Sequence, residues 1–301
     1  MKKIAVIIYI VLFSFELKSQ DSFTLEEAVE FGLTNNSSSK NAVNDLEIAN
    51  AKKWETIATG LPQINSFIEY NNNIKQPVSL VPAEFFGGNP GEFTELSFGT
   101  KQTIDGSVTL TQLLFDGSYL VGLASIKLYM DIAFKAKIKT DLEVKRVIIS
   151  AYGNALASAE RVEVLKKNLL NIQNNLEEIQ KIYNNGLTEL ENVEQLRITY
   201  GSIKNSLDYS TKLNKTSLNL LKLVMGYDIE KEIILSNSLQ DLTLKSILEK
   251  NSLENFQMEK NIDYQMALNN SKSQQTLLTL EKSKALPTLR AFIKGLSLIH
   301  I

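Results

Sequence analysis

The residues best suited to chemistry in this chain are carboxylates: Glu177 and Glu178 side by side, then Glu189, Glu191 and Glu194 close together. Paired acids can act as general acid and general base. These acids stand among Lys, Asn and Gln at helical spacing, the pattern of a solvated helix face, where charge serves solubility. The chain has no cysteine, which excludes disulfides, thiolate metal sites, a cysteine nucleophile and a lipid-modified N-terminal cysteine. Its single histidine, His300, stands next to the end, and no glycine-rich phosphate loop is present. These absences argue against an enzyme, and no catalytic residue, cofactor or metal is expected. The net charge of −2 gives no electrostatic support for a nucleic-acid partner. Trp54, the lone tryptophan, is expected to pack rather than to serve as a binding platform.

The elements that carry these acids are helical. The run from Gly117 to Tyr183 has no proline and only Gly122 and Gly153 inside it. Val162, Leu165, Leu169, Ile172, Leu176, Ile179 and Tyr183 recur in steps of three and four, the spacing of helices that pack along their whole length. A continuous helix of this size is on the order of 100 Å long, so it spans something or joins an extended assembly. Asn184-Asn185-Gly186 ends it, and Thr188-x-x-Glu191 reads as a capping box that restarts the chain. The return helix carries Val193, Leu196, Tyr200, Ile203 and Leu207, then moves its stripe to Tyr209, Leu213, Leu220 and Leu223. Residues 117–184 and 188–226 thus form a long antiparallel helical hairpin. No proline stands between Pro90 and Pro287, which suits a largely helical middle.

Residues 1–19 read as a secretory signal peptide. Lys2 and Lys3 precede the apolar run Ile4–Phe15, which is shorter than the roughly 20 residues a spanning helix needs. Thr24-Leu-Glu-Glu27 is a capping box that opens a helix over 24–34, and a second helix follows over 38–59, stopped by Gly60-Leu-Pro62. Two strands are predicted next, over 63–75 and 103–114. Ile64, Ile68, Tyr70 and Ile74 alternate with Asn65, Glu69, Asn71 and Asn73 in the first. Ile104, Val108, Leu110 and Leu114 alternate with Asp105, Ser107 and Thr109 in the second. Each is long enough to cross a bilayer as a tilted strand of about 9–11 residues. The Pro-, Gly- and Phe-rich stretch between them, 76–100, reads as a long exposed loop.

The beginning of the chain then appears a second time. Thr243-Leu-Lys-Ser resembles Thr24-Leu-Glu-Glu, and Ala285-Leu-Pro-Thr-Leu289 resembles Gly60-Leu-Pro-Gln-Ile64. Residues 20–226 are read as one structural repeat and 227–295 as the start of a second, with helices over about 243–285 and a strand from 287. The second repeat is expected to be incomplete. The tail 296–301 follows no pattern of this kind and is expected to be non-native, resembling translated adapter read-through.

Together Thr24-Leu-Glu-Glu-Ala-Val with Asn35-Asn36, Gly60-Leu-Pro62, Thr109-Leu-Thr-Gln-Leu-Leu-Phe-Asp-Gly117 and Tyr183-Asn-Asn-Gly-Leu-Thr188 resemble the TolC family of outer membrane efflux proteins, in order and spacing across almost all of the chain. The resemblance implies a mainly α fold with membrane β-strands. A homotrimer would share an outer membrane β-barrel, continued by helical hairpins as staves of a periplasmic α-barrel. It implies a passive duct of a tripartite efflux or type I secretion system in a Gram-negative outer membrane. In the family a periplasmic adaptor meets the hairpin tips and links the duct to an inner membrane pump. The tip here is Asn185, Gly186, Leu187, Thr188 and Glu191. Asn65, Glu69, Asn71, Asp105 and Thr109 would face the lumen; Ile64, Ile68, Val108 and Leu110 would face lipid. A periplasmic coiled-coil adaptor or structural protein would show similar hairpins, but not two amphipathic strands of bilayer length.

Overall fold

The structure, a computed structural model, describes residues 21–250 and 257–300. The expected signal peptide lies outside the described residues, as do Ile301 and the part of the second repeat at 251–256. The chain runs β1 (Asp21–Phe23), α1 (Leu25–Asn35), α2 (Ser37–Ala58), β2 (Gln63–Asn72), β3 (Val78–Pro82), β4 (Phe93–Ser97), β5 (Gln102–Phe115), α3 (Gly117–Asn184), α4 (Leu190–Met225), β6 (Ile233–Leu235), α5 (Leu239–Lys250), α6 (Ile262–Ser283) and β7 (Leu289–His300). It is mainly helical, and α3 alone holds 68 residues. Two compact units divide it. One comprises the described residues up to Glu47 with Ala133–Ala267; the other comprises Ile48–Ile132 with the described residues from Leu268.

The first unit is organised around the middle of α3. Val144, Ile148, Ala151, Tyr152, Ala155 and Leu156 follow one another at helical spacing and are buried with Ala28 of α1 and Leu221 and Met225 of α4. Each large side chain so removed from water contributes roughly 1.5–3 kcal/mol. Small residues on α3 allow the close approach that the bulkier Ile148 and Tyr152 then fill. α1 is set by its capping box. The Thr24 hydroxyl accepts from the Glu27 amide at 3.2 Å, and the Glu27 carboxylate accepts from the Thr24 amide at 2.8 Å. α4 ends in a left-handed turn at Gly226 (φ 71°), where the amides of Gly226 and Tyr227 donate to the Leu223 and Lys222 carbonyls. The freed Tyr227 ring then meets Phe23 and Phe31 edge-on, each at 5.6 Å.

Two short strands of this unit pair with each other. β1 and β6 run parallel, with Asp21 opposite Ile233 and Phe23 opposite Leu235. Each strand leads into a capped helix, β1 into α1 and β6 into α5. The cap of α5 is Ser238, whose hydroxyl accepts from the Asp241 amide at 3.1 Å and donates to the Asp241 carboxylate at 2.6 Å. Ser238 thus caps α5, whereas Thr243 lies inside it and bonds the Leu239 carbonyl. The Thr-Leu match misleads because the capping position is defined by the hydroxyl's reach to the amide three residues on, and Ser238-x-x-Asp241 supplies that chemistry with different residues.

In the second unit β5 is the central strand of an antiparallel sheet, ordered β2-β5-β7. α2 and α6 each end in an x-Leu-Pro turn that delivers the chain to β2 and β7. The predicted loop over 76–100 is not irregular throughout: β3 and β4 pair antiparallel within it, Val78 opposite Ser97 and Pro82 opposite Phe93. Val78-Ser-Leu-Val81 and Phe93-Thr-Glu-Leu96 are good strand formers. Their signal is masked by prolines and glycines that make the turn between them. Residues 296–300, which follow no pattern in the sequence reading, continue β7, with Leu296 opposite Ser107 and Ile299 opposite Ile104.

Candidate functional site

Two surfaces carry the residues singled out by the sequence: the β2-β5-β7 sheet and the tip of the α3–α4 hairpin. Because side chains alternate along a strand, the register decides which of them share a face. β2 and β5 pair with Ile64 opposite Leu110, Ser66 opposite Val108, Ile68 opposite Gly106 and Tyr70 opposite Ile104. β7 adds Ile293, Gly295 and Ile299 to the same face. The other face takes the Asn65–Thr109, Glu69–Asp105 and Asn71–Thr103 pairs, with Lys294 opposite Thr109. The register thus brings Ile64, Ile68, Val108 and Leu110 onto one face and Asn65, Glu69, Asn71, Asp105 and Thr109 onto the other.

The first face is mainly apolar, Ser66 and Ser297 apart, and open to its surroundings: Ile64 is 71% exposed, Ile68 82% and Ile293 73%. The second is mixed rather than uniformly polar, because it also bears Phe67, Phe292 and Leu296. β2 and β7 are sheet edges, so each keeps one row of unpaired backbone groups. Among the described residues the sheet does not close on itself. Such edges demand a partner strand wherever water is excluded.

At the hairpin tip α3 closes with a double bond pattern. The Gly186 amide donates to Tyr183 at 2.8 Å and the Leu187 amide to Ile182 at 3.1 Å. Gly186 takes φ 75°, which a residue with a Cβ adopts only at a cost. Leu187 follows it, 77% exposed. The predicted capping box at Thr188 and Glu191 is absent. α4 begins at Leu190 with the extended Glu189 at its cap, and Glu189 makes no side-chain capping bond. Thr188 lies one residue too early to reach the first amides, and its hydroxyl instead accepts from the Asn192 side chain at 2.9 Å. Glu191 stays in the first turn of α4, where a carboxylate favours the helix dipole. Asn185, Gly186, Leu187 and Glu191 are exposed and Thr188 is half-buried.

No protein-family model and no curated protein matches the chain. Solved structures do. The chain superposes on the Campylobacter jejuni CmeC outer membrane channel with a TM-score of 0.65 and 15% identity, over 92% of this chain and 61% of that one. Against CusC, described for its transmembrane channel formation, the TM-score is 0.66 at 14% identity, over 91% and 60%. Against the outer membrane protein VceC of Vibrio cholerae it is 0.61 at 13% identity, over 92% and 68%. The chain has the fold of these outer membrane channels. It is the fold that the TolC resemblance implies, and the chain spans about three-fifths to two-thirds of their length.

Within this channel fold the carboxylates that could do chemistry do not converge. Glu177, Glu178, Glu189 and Glu191 are exposed, and Glu194 pairs with Arg197 at 2.6 Å. Among the described residues no three His, Cys, Asp or Glu side chains form a set that could hold a metal ion. An open groove has an apolar floor of Leu25, Val29 and Leu33 of α1, Ile149 of α3 and Leu239 and Leu242 of α5, rimmed by Glu26, Glu30, Lys145 and Lys245. Trp54, expected to pack, is instead 66% exposed on α2, with the Lys53 ammonium 5.8 Å from its ring centroid.

Proposed function

We propose that the chain is a subunit of an outer membrane channel: a passive duct through which small molecules or a secreted protein leave a Gram-negative envelope. The observation that carries this reading is the sheet register. Strands of 10, 14 and 12 residues, each long enough to cross a bilayer when tilted, present one mainly apolar face and one mixed face that carries the polar positions. The open edges at β2 and β7 support assembly with further copies of the chain, as a homotrimer sharing one closed barrel. The shared fold with outer membrane channels supports the same reading.

On this proposal Ile64, Ile68, Val108 and Leu110 face lipid, and Asn65, Glu69, Asn71, Asp105 and Thr109 face the lumen. The exposed tip at Asn185, Gly186, Leu187, Thr188 and Glu191 is the surface offered to a periplasmic adaptor. Through that adaptor an inner membrane pump of a tripartite efflux or type I secretion system supplies the energy. Export would use the signal peptide at 1–19.

Charge substitution tests the assignment of faces. A Lys at mid-bilayer on the lipid face costs roughly 2–4 kcal/mol. Ile68→Lys is therefore expected to abolish membrane-extracted oligomer, while Asn71→Lys leaves it intact. Equal tolerance of both substitutions would contradict the reading.

A further inference from the structure

The connection between β2 and β5 is an ordered hairpin rather than slack chain. β3 and β4 pair over five residues each. The turn between them is closed by three bonds. The Ala83 amide donates to the Glu92 carbonyl at 2.8 Å, the Gly88 amide to the Ala83 carbonyl at 2.8 Å, and the Gly91 amide to the Glu84 carboxylate at 3.1 Å. At the base the Ser97 hydroxyl donates to the Gln76 side chain at 3.1 Å. β2 follows α2 and β5 leads into α3, so the hairpin stands at the end of these strands away from the helices.

The register divides the side chains of the hairpin. Val78, Leu80 and Pro82 share one face with Ser97, Glu95 and Phe93. That face is open: Val78 is 55% exposed, Leu80 66% and Phe93 65%. Glu95 is its one charged residue, opposite Leu80 and two positions from Phe93. Among the described residues the Glu95 carboxylate has no hydrogen bond and no ion pair. The other two glutamates of the hairpin are engaged in the turn, Glu84 by Gly91 and Glu92 by the Asn89 side chain. From residue 76 to residue 100 the chain has no Lys, Arg or His to neutralise them.

We propose that this face is a docking surface for a small organic cation carried on an apolar body. The surface does not depend on the channel reading; on that reading it stands at the outer mouth. Charge and size select the occupant. An apolar face around one unpaired carboxylate attracts an ammonium, phosphonium or guanidinium whose body covers Leu80 and Phe93, and the Phe93 ring adds a cation–π contact. A second copy is disfavoured, because its hairpin brings three more carboxylates against these three and no cation. A protein partner is disfavoured by area. Two paired strands of five residues are about 17 Å long and about 5 Å apart, far short of the roughly 800 Å² that each partner gives to a stable interface. Because the hairpin is already paired, binding has little chain to order.

The chain has no cysteine, so a single thiol reports each face of the hairpin. Val78→Cys lies on the proposed face and Ser79→Cys on the other. Both variants are placed in nanodiscs of phosphatidylcholine and labelled with a water-soluble maleimide. Labelling is followed alone and with tetraphenylphosphonium or tetraphenylborate, ions of one shape and opposite charge. The expected result is saturable, several-fold slowing at Val78→Cys by the phosphonium, with little slowing at Ser79→Cys and little by the borate. Glu95→Gln, an isosteric change at an exposed position, should weaken the protection roughly two- to fivefold, the range of an exposed ion pair, and remove its dependence on salt. No protection by the phosphonium, or protection unchanged in Glu95→Gln, overturns the proposal. Equal protection by both ions or of both thiols also overturns it, because apolar partition alone then explains the effect. A Val78→Cys thiol that resists labelling with no ion added, beside a reactive Ser79→Cys, overturns it too, since another protein surface then covers the face. None of these outcomes bears on β2, β5 and β7 as membrane strands, which stand or fall by their own labelling.

Discussion

The hydroxyl of Tyr152, in the middle of α3, donates to the backbone carbonyl of Phe23 at 2.9 Å. The same oxygen accepts from the Asn237 amide at 3.4 Å, and the Asn237 side chain accepts from the Leu25 amide at 2.7 Å. One fully buried tyrosine thus ties together the segments that lead into α1 and α5. Removing only its oxygen, in Tyr152→Phe, leaves the ring packed and the Phe23 carbonyl still bonded to the Ser236 amide at 3.0 Å, but orphans the Asn237 amide. A loss of about 1–3 kcal/mol is expected, read as a lower denaturant midpoint with unchanged slope. A midpoint within error of the parent would show that water replaces the hydroxyl.

The Tyr227 hydroxyl lies 2.5 Å from the Asp21 carboxylate, and this bond, with some burial, pushes its pKa up to about 12. The folded value stands above the unfolded value of about 10. The protonated tyrosine therefore contributes stability that is fully present below pH of about 10 and is lost as pH rises toward 12. Tyr227→Phe is expected to lower stability at neutral pH and to flatten the alkaline decline over that window. An equally steep decline in the variant would assign it to other groups. Tyrosinate absorbance during the titration gives an independent reading.

Gly226 and Gly186 share a left-handed backbone but not their surroundings. A Cβ on Gly226 would stand 2.5 Å from the Asn35 carbonyl oxygen, whereas one on Gly186 would meet nothing within 4 Å. Gly186→Ala should cost roughly the 1–2 kcal/mol of the backbone conformation alone. Gly226→Ala should cost more, because a backbone atom cannot yield as a side chain would. Thermal unfolding of the two variants side by side orders them, and a larger loss at Gly186 would contradict the packing described at the end of α4.

What the sequence discloses depends on whether the cause is local. The stripe from Val162 to Tyr183 is legible because helical spacing alone selects it, and its residues are buried or half-buried in α3. The shifted stripe on α4 is a different case: Tyr209, Leu213, Leu220 and Leu223 have the right spacing, yet they remain exposed in the single chain. Spacing reports an apolar face, not what covers it. The alternation in β2 and β5 is legible for the same reason as the helix stripe. That the two alternations fall in phase is a property of register, set over a separation no local pattern reaches. Tyr152 reads as one more core residue, because its partners Phe23 and Asn237 are distant in sequence. Thr188 fits a capping pattern whose cap position Glu189 takes, and Thr243 matches Thr24 in sequence although Ser238 caps α5. Pattern matching cannot distinguish a hydroxyl in place from one displaced along the chain.

The phase of the two strand faces is the central claim, and the absence of native cysteine makes it directly measurable. Single cysteines at Ile64, Asn65, Ile68 and Glu69 would be exposed in membranes to a water-soluble maleimide and, separately, to a lipid-soluble one. The account predicts alternation: Asn65 and Glu69 react with the aqueous reagent, and Ile64 and Ile68 react only with the lipid-phase reagent. Uniform aqueous labelling of all four positions would contradict it, because a strand wet on both faces does not line a membrane channel.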